Sequence, residues 1–204
     1  MDIKQITVSN TQEFCDLIVD MYSHLENLEW FTPMPYDYDN VKSMIENPRF
    51  YIIGAFEDDK LVGVSSLDYK CGKLIGKFDF PSECTLENTV ELAFNMVHSK
   101  HRGKGIMKLM IASLLEKVTA DKFEWVFSKA HKDNLASSKS LIKNGLVIYK
   151  EYIKPVNKNE FIELSSKDFF SKSGKENAKK TLAKYKETDE NIIVEYYVLL
   201  KKLK

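Results

Sequence analysis

One stretch of the sequence constrains the fold more than any other. Residues 90–97 are a run of strand-forming apolar type, a basic turn with glycines at 103 and 105 follows, and residues 107–118 form an amphipathic helix. Met107, Met110, Ile111, Leu114, Leu115 and Val118 stand at steps of three, four, three, one and three, which makes one apolar stripe. A strand that turns directly into such a helix lays the helix back on its own sheet, so the chain is committed to a layered α/β arrangement. The remaining periodicity agrees. Ile3, Ile6 and Val8 predict an opening strand, and Phe14, Leu17, Ile18, Met21 and Leu25 predict a helix over 11–28. A short helix over 39–46 ends before Pro48. Residues 50–56, the Asp58-Asp59 turn and residues 61–67 read as a hairpin, and 74–80 as a strand extending that sheet. Then follow a strand over 123–127, a helix over 134–143 closed by Gly145, and a strand over 146–153. A basic helix over 167–185 and a strand over 192–200 complete the pattern. The expectation is a single α/β (α+β) domain over 1–204, with a mixed central sheet flanked by helices and a helical insertion at about 165–187 before the last strand.

Composition excludes several classes. With 44% hydrophobic and 12% aromatic residues the chain can build a core, so disorder is not its main state. No apolar run approaches the ~18 residues of a membrane span, and the first residues lack a signal-peptide layout. Thirty basic and 30 acidic side chains cancel, so no global field recruits nucleic acid or a membrane surface. Cys15, Cys71 and Cys84 match no metal-ligand spacing and suit a reduced, cytoplasmic protein. The zero net charge hides a sorting. Residues 5–41 hold no Lys or Arg but contain Glu13, Asp16, Asp20, Glu26, Glu29, Asp37 and Asp39. Residues 78–99 repeat this with Asp79, Glu83, Glu87 and Glu91, after which Lys100, Arg102, Lys104 and Lys108 arrive together. The lysine-rich 167–186 run reads as a solvated helix face.

The turn at 97–107 joins a strand to a helix N-terminus, where the first backbone N–H groups lack intrahelical partners and the helix dipole is positive. Glycines at 103 and 105 remove side chains that would keep an anion away, and Arg102, Lys104 and Lys108 add charge. Such a site suits a phosphate or pyrophosphate. A Walker loop is absent, and the dinucleotide fingerprint fails because Lys108 stands where its third glycine belongs. His98 and His101 form a His-x-x-His pair with no Cys or carboxylate near them in sequence, so no metal site is expected.

This segment resembles the cofactor motif of the GNAT superfamily of acetyl-CoA-dependent N-acetyltransferases: Gln or Arg, two residues, Gly, one residue, Gly or Ala, directly after a strand. Here it reads Arg102, Gly103, Lys104, Gly105, Ile106, Met107, with Met107 in place of the small residue. A second block, Asn134, Ser137, Lys143, Gly145 and Leu146, is similar to the family's Asn, two residues, Ala or Ser, and Lys-x-Gly-Phe ending. The resemblance covers about 50–153. It implies that acetyl-CoA lays its pantetheine arm along Asn95, Met96 and Val97, with a backbone N–H near Val97 as oxyanion donor. Gly103, Lys104, Gly105, Ile106, Met107 and Lys108 would surround the pyrophosphate, and Asn134 would touch the cofactor from the next helix. Glu91 falls where several members carry their general base. The usual acid, a Tyr, is replaced by Leu141, which leaves Ser137, Ser138, Tyr149 or solvent as alternatives.

The resemblance also implies an acceptor entering near the first two helices, where aromatics interleave with carboxylates. Glu29, Trp30, Tyr36 and Asp37 are the candidate contacts, suiting a cationic small amine (a polyamine or amino sugar) or a lysine side chain. The alternative is that Trp30 and Phe31 cap the core. The implied activity is acetyl transfer from acetyl-CoA to a primary amine in a ternary complex; the competing class is a non-catalytic acyl-CoA-binding module using the basic helix. Partners other than the acceptor are a second subunit, since a hydrophobic last strand is able to pair in a homodimer, and not nucleic acid or membrane.

Overall fold

The computed structural model describes residues 1–25, 30, 34–155, 162–165 and 193–203. A short edge strand β1 (Asp2–Gln5) leads to α1 (Thr11–Ser23), whose Phe14, Leu17, Ile18 and Met21 are buried at helical spacing. The helix ends at Ser23 rather than continuing to residue 28; the last part of that expected span, 26–28, lies outside the described residues. In α2 (Tyr38–Glu46) the preceding Asp37 is the N-cap, its side chain accepting the Asn40 N–H. The hairpin forms as β2 (Phe50–Glu57) and β3 (Lys60–Asp68). The following connection contains one helical turn, α3 (Gly72–Ile75), before β4 (Thr89–Val97).

The strand expected over 74–80 is not there. Its apolar alternation is used differently: Phe78 inserts edge-on against Phe127 and Tyr152, and Phe80 lies tilted against Phe127, in a separate cluster with Cys71, Cys84 and Trp125. A strand cannot insert between β3 and β4, because those two pair directly with each other.

After β4 come α4 (Ile106–Ala120), β5 (Trp125–His131), α5 (Leu135–Lys143), β6 (Val147–Pro155), β7 (Ile162–Ser165) and β8 (Ile193–Lys202). The β7 strand was not foreseen, and the expected basic helix over 167–185 lies outside the described residues. Among the described residues the sheet has eight strands in the order β1-β2-β3-β4-β5-β8-β6-β7. Only β4 and β5 run parallel, as the α4 crossover between them requires. The last strand slots between β5 and β6 and bonds to both, so its hydrophobic residues serve this chain's own sheet. One face of the sheet packs against α4, with Ile106, Met110, Ile111, Leu114 and Val118 joining Val90, Leu92 and Val126. The other face packs against α1, with Phe14, Leu17, Ile18 and Met21 joining Ile52, Val64, Phe94 and Met96. Among the described residues no helix is long and apolar enough to cross a membrane.

Two features of β4 prepare a site. Its register against β3 moves from Ser65–Asn95 to Leu67–Leu92, so one extra residue bulges in β4 near Ala93 and Phe94. Its parallel pairing with β5 stops at Leu92–Ser128. Beyond that point the two strands part, and the β5-facing backbone of residues 93–97 has no strand partner among the described residues.

Candidate active site

The wedge between β4 and β5 opens onto the glycine turn. His98 caps a 3₁₀ turn over Ser99–His101, and the chain then reaches Arg102 in extended conformation. Arg102 is a structural tie here: its Nε donates to Val97 O at 3.2 Å and one terminal nitrogen donates to His24 O at 3.0 Å. Asp20 of α1 binds the same turn, accepting from Ser99 N at 2.7 Å and Ser99 Oγ at 2.8 Å. Burial alone would raise the Asp20 pKa, but the two Ser99 donors, with His98 and His24 nearby, outweigh it and hold the carboxyl below its usual range.

Gly103 and Gly105 have φ of +79° and +78°, the left-handed region that glycine occupies without penalty. A methyl group at either position would meet no protein atom within 4 Å, so the space over the turn is open. Gly105 is the N-cap of α4, and its carbonyl accepts the Leu109 N–H. The N–H groups of Ile106, Met107 and Lys108 are therefore the first-turn donors that α4 itself does not use, and no acidic side chain competes in that turn. This combination of left-handed glycines, empty space and free amides fits a diphosphate.

A cavity of about 460 Å³ lies against this turn. Asn95, Met96 and Val97 form one wall, and Gly103, Gly105, Ile106, Met107 and Lys108 the floor, with Arg102 at the edge. Asn134 faces it from the start of α5, where its Oδ1 accepts the Ser137 N–H at 3.1 Å. Ten of the eleven residues expected to bind cofactor thus share one cavity. Lys104 does not line it; its Nζ sits 3.5 Å from Glu57, which also holds His101 Nδ1 at 2.9 Å. The carboxylates missing from the local sequence around His98 and His101 come from far away: Glu57, and Asp20 at 3.6 Å from His98 Nε2.

Of the expected acceptor residues, Trp30 lines the cavity and its ring lies 6.1 Å from that of His131. Asp37 and Tyr36 do not. Asp37 is turned to helix capping, with its carboxylate accepting from Asn40 N at 3.1 Å and Asn40 Nδ2 at 2.9 Å, and those bonds hold its pKa down. Tyr36 is 63% exposed. Glu29 lies outside the described residues.

Glu91 sits on β4 one residue before the last β4–β5 pair, buried and away from the cavity lining. Its Oε1 is 3.1 Å from Lys129 Nζ on β5. Its cross-strand neighbour Asp68 is held by Arg49 through two bonds, 2.8 Å from Nε and 2.5 Å from a terminal nitrogen. Burial pushes the Glu91 pKa up, and Lys129 opposes the rise. Leu141 is fully buried in the α4-side core. The Ser138 hydroxyl donates to Asn134 O at 3.3 Å, and the Tyr149 hydroxyl to Asp79 O at 3.2 Å, so neither is turned to the cavity.

Sequence reasoning missed the far wall. Ala136, Lys139, Ser140 and Lys143 line the cavity from α5, and Met21, His24 and Leu25 from the end of α1. The α5 set was readable in principle, since steps of three, one and three mark one helix face.

A parallel strand pair that splays at a bulge, with a cavity running from the free strand edge to a glycine-opened helix N-terminus, defines a protein built to hold a nucleotide-tailed thioester. The family described as acetyltransferase (GNAT) matches residues 11–143, and the chain belongs to that family; it is an acyltransferase whose acetyl donor is acetyl-CoA. No curated protein matches. Among solved structures it is similar to a ribosomal-protein-alanine N-acetyltransferase from Brucella melitensis (17% identity, all of both chains covered, TM-score 0.64). It is also similar to a putative acetyltransferase from Salmonella typhimurium, solved with acetyl-CoA (14% identity, 100% of this chain and 94% of that one, TM-score 0.67). A third is the PaiA N-acetyltransferase from Thermoplasma acidophilum, in complex with coenzyme A (13% identity, 99% and 98% covered, TM-score 0.57). At these identities the likeness is one of fold.

Proposed function

We propose that this chain transfers the acetyl group to a primary amine, either a cationic small molecule or a lysine-like side chain, by direct attack in a ternary complex in the cytoplasm. The observation that carries this reading is that one cavity joins the unpaired edge of β4, the open glycine turn and the Trp30 ring. Acetyl-CoA bound there supplies the acetyl group as an activated thioester. Residues 95–97 offer main-chain N–H and C=O groups to the pantetheine amides in the manner of an added strand. The amides of residues 106–108, with Lys108 beside them, take the diphosphate, and Asn134 closes over the arm. A β4 N–H near Val97 stabilises charge developing on the carbonyl oxygen.

The acceptor must be uncharged to attack, whereas an alkylamine is mostly protonated at neutral pH. Glu91 is the base in this reading, receiving the proton through water because it does not itself line the cavity. Burial raises its proton affinity, and Lys129 Nζ at 3.1 Å opposes the rise. Trp30 offers a π face to an ammonium. Three buried, unpaired thiols suit a reducing compartment.

Thiol release from acetyl-CoA, followed with polyamines, amino sugars and a lysine peptide, tests this. Saturable release with a cationic amine is expected, and Glu91→Gln should lower kcat roughly 10²-fold or more while leaving acetyl-CoA binding intact. Binding without turnover on any amine of the panel would remove the acceptor class, and wild-type kcat in Glu91→Gln would remove the base.

A further inference from the structure

We propose that Lys139 and Lys143 of α5 grip the ribose 3′-phosphate of coenzyme A, making this chain selective for the phosphorylated cofactor over its dephospho form. The inference rests on the acetyl-CoA reading of the cavity. Both lysines line it, one helical turn apart, with the small residues Ala136 and Ser140 on the same face leaving room between them and the ligand. Side chains at that spacing are neighbours, and two like charges so placed repel unless an anion lies between them.

Neither lysine has an ion-pair partner among the described residues. That sets them apart from the other cations near the site: Lys104 is held by Glu57, Lys129 by Glu91, and Arg102 is bonded to the carbonyls of Val97 and His24. The diphosphate already has the α4 amides and Lys108. Coenzyme A carries one further phosphate, and the two unpaired ammonium groups of α5 are the charges left to meet it.

The C-terminal half of α5 is fixed beside the diphosphate turn. Asn144 Nδ2 donates to Lys108 O at 3.2 Å and to Ser140 O at 2.9 Å, and Lys201 Nζ donates to Asn144 O at 2.7 Å. The first turn of α4 and the last turns of α5 are thereby stitched into one wall. A phosphate two bonds beyond the ribose and a diphosphate on the amides are reachable from that wall together.

Calorimetry with coenzyme A and with dephospho-coenzyme A, on wild type and on the Lys139→Gln/Lys143→Gln double variant, tests this. The wild-type chain should bind coenzyme A roughly tenfold or more tighter than the dephospho form, as a charge-assisted contact implies. The double variant, shown folded by its thermal melt, should lose that preference while binding dephospho-coenzyme A as wild type does. Equal wild-type affinity for the two ligands overturns the inference and leaves acetyl-CoA use standing. An equal loss of both ligands in the variant also overturns it, placing the lysines on the diphosphate instead. Wild-type protein that binds neither ligand overturns the cofactor reading itself.

Discussion

At Gly105 the backbone and the ligand make the same demand. Its φ of +78° costs about 1–2 kcal/mol for a residue with a Cβ, and the space that a Cβ would enter is empty of protein. Gly105→Ala should therefore lower the melting temperature by only a few degrees while weakening acetyl-CoA roughly tenfold or more, read by melts and calorimetry on the same sample. Asp20 gives a different signature. Its folded-state pKa is depressed, so its contribution is present above the unfolded value near 3.9 and is lost as pH falls through the folded value. Asp20→Asn should cost about 1–3 kcal/mol at pH 7 through the two Ser99 bonds, with the gap to wild type closing on acidification below about pH 4. A gap independent of pH would show that packing, not charge, holds α1 to the turn. At this scale the residues that line the cavity from β4 and the glycine turn were legible because glycine and the helix dipole are local properties. The tasks of Lys104 and Glu91 were not, since their partners Glu57 and Lys129 become known only from the folded chain.

Among the elements, the β3–β4 connection departs furthest from the sequence pattern. Alternating Phe78 and Phe80 satisfy a strand template, yet pairing needs a free neighbour as well as an apolar face, and β3 and β4 pair with each other, leaving no gap for a strand between them. The connection folds over the sheet instead, with the Tyr152 hydroxyl donating to Phe78 O at 2.5 Å and Lys150 Nζ 2.9 Å from Asp79. Phe78 is fully buried, so Phe78→Ala should cost about 3–5 kcal/mol, measured by denaturant unfolding. A cost below 1 kcal/mol would mean the segment is a loose cover rather than part of the core. The strand–turn–helix unit at 89–120 and the α5 segment formed where expected because helical stripes and end signals are written within a few residues of each other. Leu141 N-terminal of Gly145 illustrates this: Leu146 N–H reaches Leu141 O at 3.2 Å and Gly145 N–H reaches Ile142 O at 2.9 Å, the pairing that a left-handed glycine after a helix allows. Insertion of β8 between β5 and β6 is a long-range choice with no such local signal.

For the molecule as a whole, the sorting of charge along the chain becomes a division of labour. Three acidic side chains of the first segment hold backbone N–H groups: Asp20 on Ser99, Asp37 on Asn40 at the exposed start of α2, and Glu13 on Leu61 N at 3.4 Å. Three basic side chains without an ion-pair partner among the described residues, Lys108, Lys139 and Lys143, line the cavity. A formal net charge of zero thus coexists with a local field suited to a polyanion. The central claim is that this cavity grips coenzyme A through the open amides of the glycine turn. Titrating acetyl-CoA into the full chain by calorimetry at low and at raised ionic strength tests it most directly. One-to-one binding that weakens as salt screens the lysines is the expected result, and folded protein that shows no association at either salt concentration would contradict the account.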